Sequence, residues 1–133
     1  MSSIRLQKSI NSEAETIFSF LTEQNLLMRW FAPQAIASPL QESIAAFAFG
    51  SEVNFKVKIS ELTEYSKLKW ICIDGNVDWI NSSFSFTLKR INNNKCQLFF
   101  QQGNIKNETK LEQWKSSWRS YLEILKEECE TFK

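Results

Sequence analysis

The stretch Trp114–Phe132, WKSSWRSYLEILKEECETF, decides the fold. Trp114, Trp118, Tyr121, Leu125, Cys129 and Phe132 recur at steps of three and four, with Leu111 ahead of them and Leu122 beside them. This spacing predicts a helix of about six turns from Thr109 to Glu130, with one continuous apolar stripe. Thr109 and Glu112 are spaced as a capping box at its start. A stripe of that length must be buried against another layer.

The preceding segment supplies the layer. From about Gln34 to Gly103 the pattern changes to period two, the signature of strands with one buried face. SIAAFAFGSEVNFKVKI reads as a hairpin with Gly50-Ser51 at its tip. A two-residue loop pairs Ala48 with Val53, Ala46 with Phe55 and Ile44 with Val57. Lys56 and Lys58 then face solvent, and Phe47 and Phe49 point away from the interior. KLKWICID places Leu68, Trp70 and Cys72 on one side. SSFSFTLKRI does the same for Phe84, Phe86 and Leu88, INNNK is a turn, and KCQLFFQQG is the last strand. Asp74-Gly75 reads as a turn.

Ahead of this region, SIRLQKSI alternates as a strand. In NSEAETIFSFL, Ser12 and Glu15 have capping-box spacing, and Ala14, Ile17, Phe18 and Leu21 share a helical face. Thr22 is placed to cap a second short helix carrying Leu26, Leu27, Trp30 and Phe31, which Pro33 ends. Strands grouped together, with helices apart, define an α+β chain. Its only long helix must cover the antiparallel sheet.

Composition narrows the chemistry. The 133 residues are one domain's worth, 1–133, and 11 Phe with 5 Trp predict an aromatic core. A net charge of +1 argues against a nucleic-acid partner, which needs a concentrated basic face. There is no histidine, which excludes Ser-His-Asp and Cys-His catalysis and histidine-ligated metals. Cys72, Cys96 and Cys129 are odd in number and scattered, so they read as reduced, and the expected location is cytoplasmic. No stretch is long and apolar enough for membrane insertion, and no cofactor is expected.

Three segments carry a resemblance. EQNLLMRWF, LKWICIDGNVDWINSSFSF and WKSSWRSYLEILKEECE, in this order, are similar to the START-like superfamily (SRPBCC). Within it, they resemble the bacterial branch related to the activator of the heat-shock protein ninety ATPase. The resemblance covers nearly the whole chain. It implies a helix-grip fold, with two short helices and a curved sheet gripping a long C-terminal helix. It also implies a cavity between sheet and helix that takes small hydrophobic or amphipathic molecules. Two positions depart from the family pattern. Asn81 stands where a glycine is common, and also tolerates a left-handed backbone. In FQQGN, Gln101 stands at a common histidine position and Asn104 at an aromatic one, so any acid–base role of that histidine is lost.

The expected ligand-binding residues are Trp30, Ala46, Phe55, Trp70, Phe84, Phe86, Phe99, Gln101, Trp118 and Leu122. Trp118 and Leu122 face the sheet at mid-helix. Trp70, Phe84 and Phe86 point inward by alternation, and Trp30 stands near the cavity mouth. On the last strand, alternation puts Cys96, Leu98 and Phe100 on one face, whereas the resemblance favours Phe99 and Gln101 inward. The site expectation follows the resemblance, with a bulge to shift parity. No residue is expected to be catalytic or to bind metal. The leading expectation is a non-enzymatic binder of a small hydrophobic molecule. The alternative is a protein-interaction module resembling the chaperone ATPase activators, with a chaperone or a second copy as partner. A cyclase- or hydrolase-like enzyme is a lesser alternative, because no carboxylate stands out in the pocket.

Overall fold

The computed structural model describes residues 2–49, 54–75 and 78–132. Strand β1 (Ser2–Ile10) leads to helices α1 (Ala14–Thr22) and α2 (Gln24–Trp30). The strands β2 (Gln34–Ile36), β3 (Ile44–Ala48), β4 (Asn54–Thr63), β5 (Lys67–Asp74), β6 (Ser83–Asn92) and β7 (Lys95–Ile105) follow. A 3-10 turn (Glu108–Lys110) runs into helix α3 (Leu111–Thr131). The seven strands form one antiparallel sheet in the order β1-β7-β6-β5-β4-β3-β2. Register shifts interrupt the β1–β7, β4–β5 and β6–β7 ladders. Such bulges bend strands and deepen their twist, which curls the sheet around α3. This is the helix-grip α+β architecture.

Alternation sets the inner face. Leu68, Trp70 and Cys72 on β5 and Phe84, Phe86 and Leu88 on β6 are buried. On β7 the buried residues are Cys96, Leu98, Phe100, Gln102 and Ile105. From α3, Trp114, Trp118, Leu122, Leu125 and Cys129 are buried beneath it. The helix is pinned at its C-terminal half. Glu123 pairs with Lys8, Arg29 bonds Glu128 at 2.7 Å, and Lys126 donates to the Ser9 carbonyl at 2.8 Å. Such exposed pairs contribute little energy each, but together they set the helix's direction across β1.

The hairpin register differs from expectation. Ala48 pairs with Asn54, Phe47 with Phe55 and Ala45 with Val57. The connection therefore runs from Phe49 to Val53, not across two residues, and Gly50-Ser51 lies outside the described residues. One residue of slip exchanges the two faces of a strand. Phe47 is accordingly buried in the core, and Ala46 faces the outer side with Lys56 and Lys58.

None of the three expected side-chain caps forms. Glu13 caps α1 without a side-chain bond, while Glu15 binds Arg90 at 2.9 Å. The Thr22 hydroxyl donates back to the Phe18 carbonyl at 2.9 Å, leaving Glu23 as the residue between α1 and α2. Asn107 accepts from the Thr109 backbone N–H at 3.0 Å, so Thr109 sits inside the 3-10 turn. In each case a nearby partner outcompetes the local box, whose net value is only about 1 kcal/mol.

Candidate functional site

At one end of the seam between sheet and α3, a recess of about 370 Å³ remains open. Aromatic rings make up most of its lining. Trp79 meets Phe55 at 5.3 Å between centroids, Phe55 meets Phe49 at 6.0 Å, and Phe49 meets Tyr121 at 6.2 Å. Tyr121 meets Trp118 at 5.7 Å. Trp114 lies one helical turn before Trp118 and meets Trp79 at 5.7 Å. Phe31 closes the inner side, touching Phe49, Phe55, Tyr121 and Trp118 and stacking on Trp118 at 16°.

Each ring has a local reason for its place. Trp114, Trp118 and Tyr121 follow from helical spacing. Phe31 ends α2, its N–H bonded to the Leu27 carbonyl at 3.0 Å. Trp79 stands on a tight turn. Its carbonyl accepts from the Ser82 N–H at 2.7 Å and the Ser82 hydroxyl at 2.6 Å. Asn81 adopts φ 73° inside that turn, the left-handed backbone expected at this position. Phe49 follows the true hairpin register.

Deeper in, the seam is solid. Around Trp118 stand Phe100 at 4.2 Å, Phe31 at 5.4 Å, Phe84 at 5.7 Å and Phe86 at 6.3 Å. Rings in such contact pack closely around the Trp118 indole. The opening lies at the mouth and not at the centre.

The expected site residues therefore separate. Phe55 and Trp118 line the recess. Trp70, Phe84, Phe86 and Leu122 are buried in the packed core. Trp30 is buried too, its indole N–H donating to the Phe20 carbonyl at 2.7 Å. Ala46 lies on the outer face, by the register slip just described. Phe99 and Gln101 also face outward. β7 runs against β6 without a parity shift from Ser83 to Arg90, so simple alternation holds there. The inward glutamine is Gln102. Its Oε1 accepts from the Trp118 indole at 3.0 Å. Sequence reasoning passed over Trp79, Trp114, Tyr121, Phe31 and Phe49 as site residues. Trp114 and Tyr121 were within reach, since each is one turn from Trp118 on the same stripe.

Among the described residues, the titratable side chains lining the recess are Lys110 and Tyr121. Burial raises the Tyr121 phenol above its ordinary value, so it stays protonated near neutrality. Burial likewise raises the thiols of Cys72 and Cys96 and pushes that of Cys129 up to about 12. None is a thiolate near neutral pH, the form needed for attack. Among the described residues no cluster of His, Cys, Asp or Glu could hold a metal ion. Among them, too, no helix is long and apolar enough to cross a membrane.

A curled antiparallel sheet closed by one long C-terminal helix, with an aromatic recess at the seam, defines a START-like helix-grip protein. The family model described as "Activator of Hsp90 ATPase homolog 1-like protein" matches residues 11–130, and the chain belongs to that family. Its structure is similar to the solution structure of the Aha1 dimer from Colwellia psychrerythraea. The TM-score is 0.89 at 23% identity, covering 100% of this chain and 99% of that one. It is also similar to protein MLL2253 from Mesorhizobium loti, with TM-score 0.80, 15% identity, and 95% of both chains covered. DynU16, from the dynemicin biosynthetic locus, gives TM-score 0.83 at 15% identity, covering 100% of this chain and 49% of that one. A comparison with curated proteins finds no match.

Proposed function

We propose that the seam recess binds a small hydrophobic or amphipathic molecule and performs no chemistry on it. The observation that carries this reading is the mainly aromatic lining of an open volume of about 370 Å³. That volume lies in the ordinary range for ligand sites, roughly 300–1,000 Å³. A flat apolar body slides between the Trp79–Trp114 and Phe49–Tyr121 pairs, gaining apolar burial and stacking. Lys110, Gln113 and Ser117 stand at the opening for one or two orienting polar contacts. Among the described residues, Lys110 and Tyr121 are the titratable groups at the recess and form no evident acid–base pair, which supports binding over catalysis. Three unpaired thiols support a reducing, cytoplasmic location.

The test is a panel of flat aromatic compounds and short-chain amphiphiles, followed by tryptophan fluorescence and calorimetry. Binding of at least one class at micromolar levels, weakened tenfold or more in Trp114→Ala, is expected. A panel with no quenching and no heat overturns the reading.

A second reading, a protein-interaction module, is favoured by a different feature. Ile36, Leu40 and Ile44 are exposed at the β2–β3 edge, with Ile36 at 69%. Ile36 lies opposite Ala46 in register, so this edge presents apolar side chains to solvent. Patches of this kind mark contacts between chains. A second copy of this chain is the partner proposed here. Sedimentation that shows a dimer in the native chain and a monomer in Ile36→Glu supports it. A monomer at every concentration removes it.

A further inference from the structure

We propose that the outer face of the sheet, at its β1 end, carries a second binding site, for a phosphate or carboxylate attached to a flat ring. A groove of about 560 Å³ lies there. Its base is two cross-strand rows. Arg5, Gln101 and Ser85 stand side by side, as do Gln7, Phe99 and Thr87. Leu6 and Phe100, with Lys115 and Arg119 of α3, complete the lining.

The charge arrangement distinguishes this groove from an ordinary solvated surface. The chain has four arginines. Arg29 and Arg90 bind Glu128 and Glu15. Arg5 and Arg119 have no ion pair among the described residues, and both line this groove. Lys115 is the third cation, and no carboxylate among the described residues lines the groove. Elsewhere on the outer face Lys58 pairs with Glu42 at 2.7 Å and Lys67 with Glu61 at 3.5 Å. Three cations gathered without a counter-charge repel one another, and an oxyanion relieves that repulsion. Guanidinium groups suit it because they donate two parallel hydrogen bonds to phosphate or carboxylate oxygens. Ser85, Thr87 and the amides of Gln7 and Gln101 are further donors on the same floor.

The ring requirement comes from Phe99. It is 38% exposed and contacts no other aromatic ring among the described residues. It stands between Gln7 and Thr87 on a face that is otherwise polar. A ligand whose ring covers Phe99 while its oxyanion reaches Arg5 and Arg119 accounts for both features. This site is independent of the seam recess, since the lining residues of the two are entirely different.

The test uses the full chain, labelled with ¹⁵N and titrated with phenyl phosphate, benzoate and inorganic phosphate at low salt. Phenyl phosphate and benzoate should shift amides at 5–7, 85–87 and 99–101. The double variant Arg5→Gln/Arg119→Gln keeps the fold, because both side chains are exposed, and should weaken phenyl phosphate at least tenfold. Phe99→Ser should weaken phenyl phosphate about threefold or more and leave inorganic phosphate unchanged. Shifts confined to residues 79, 114 and 121, or spread over all lysines, overturn the proposal. So does unchanged affinity in the double arginine variant, or equal affinity for phenyl and inorganic phosphate.

Discussion

The indole N–H of Trp118 donates to Oε1 of Gln102 at 3.0 Å, and both side chains are buried. An indole nitrogen is a donor only, so this bond fixes which way the amide points. Nε2 of Gln102 has no partner among the described residues. The centre of the grip thus holds one satisfied polar contact and one unsatisfied one. Trp118→Phe would leave the whole amide unpaired and open a small void, and should cost about 3 kcal/mol. Adding Gln102→Leu removes the stranded amide and should restore at least about 1 kcal/mol of that loss. Urea denaturation of both variants checks the sign. A double variant less stable than Trp118→Phe contradicts the account.

Two turns flanking the recess differ in how much they tolerate. Gly75 has φ +116°, and a Cβ there would meet the Asn54 carbonyl oxygen and the Phe55 Cβ, each at 2.5 Å. Both strain and backbone collision oppose a side chain, so Gly75→Ala should lower stability by more than about 2 kcal/mol. Asn81 has φ 73° with its N–H on the Cys72 carbonyl at 2.9 Å. Asn81→Gly should be nearly neutral, and Asn81→Ala should cost about 1 kcal/mol. Thermal melts should rank Asn81→Gly highest, Asn81→Ala next and Gly75→Ala lowest.

The thiols provide a probe of the closed seam. Cys72, Cys96 and Cys129 are free, buried and held protonated. A disulfide reagent at neutral pH should leave all three unlabelled over minutes and label all three in denaturant. Fast native labelling of Cys129 would show that the C-terminal end of α3 opens locally.

The acid limb of stability should include Glu130. The hydrogen bond from Lys126 at 2.6 Å, then that from the Asn11 N–H at 2.8 Å, hold its carboxyl below the ordinary value. The folded state therefore binds this proton less readily than the unfolded chain does. The resulting stability is fully present above the ordinary carboxylate range and is lost as pH falls through the depressed folded value. Glu130→Gln should lower stability at pH 7 by less than about 1 kcal/mol, since the pair lies at the surface and is partly exposed. It should also make the profile flatter below the carboxylate range.

Most of the fold was legible because period and order are global signals. The stripe of α3 and the inward sets of β5 and β6 repeat often enough to survive local error. The helix-grip order then follows from having one long helix and one sheet to cover. The site was less legible because it depends on parity. In β7 alternation pointed to Cys96, Leu98 and Phe100, and the borrowed pattern pointed to Phe99 and Gln101. Alternation prevailed, because the β6–β7 ladder is unbroken along Ser83–Arg90. The caps failed for a related reason: Glu15 and Thr22 had partners on other elements or in the preceding turn, which local spacing does not reveal.

The β3–β4 hairpin gives the sharpest check on parity. Two loop lengths fit the same string of alanines and phenylalanines, and they exchange the strand's faces. In the structure Phe47 packs on Phe31 at 4.9 Å, Trp70 at 5.2 Å and Phe55 at 5.3 Å, whereas Ala46 pairs with Lys56 on the outer face. Phe47→Ala should therefore cost about 3–5 kcal/mol, the usual range for a phenylalanine removed from a packed core. Ala46→Ser places a hydroxyl on the outer face and should change stability by less than about 0.5 kcal/mol. The two-residue loop predicts the reverse ranking, with Ala46→Ser the costly change. Chemical denaturation of the two variants decides between the registers, and with them whether Phe49 stands at the rim of the recess.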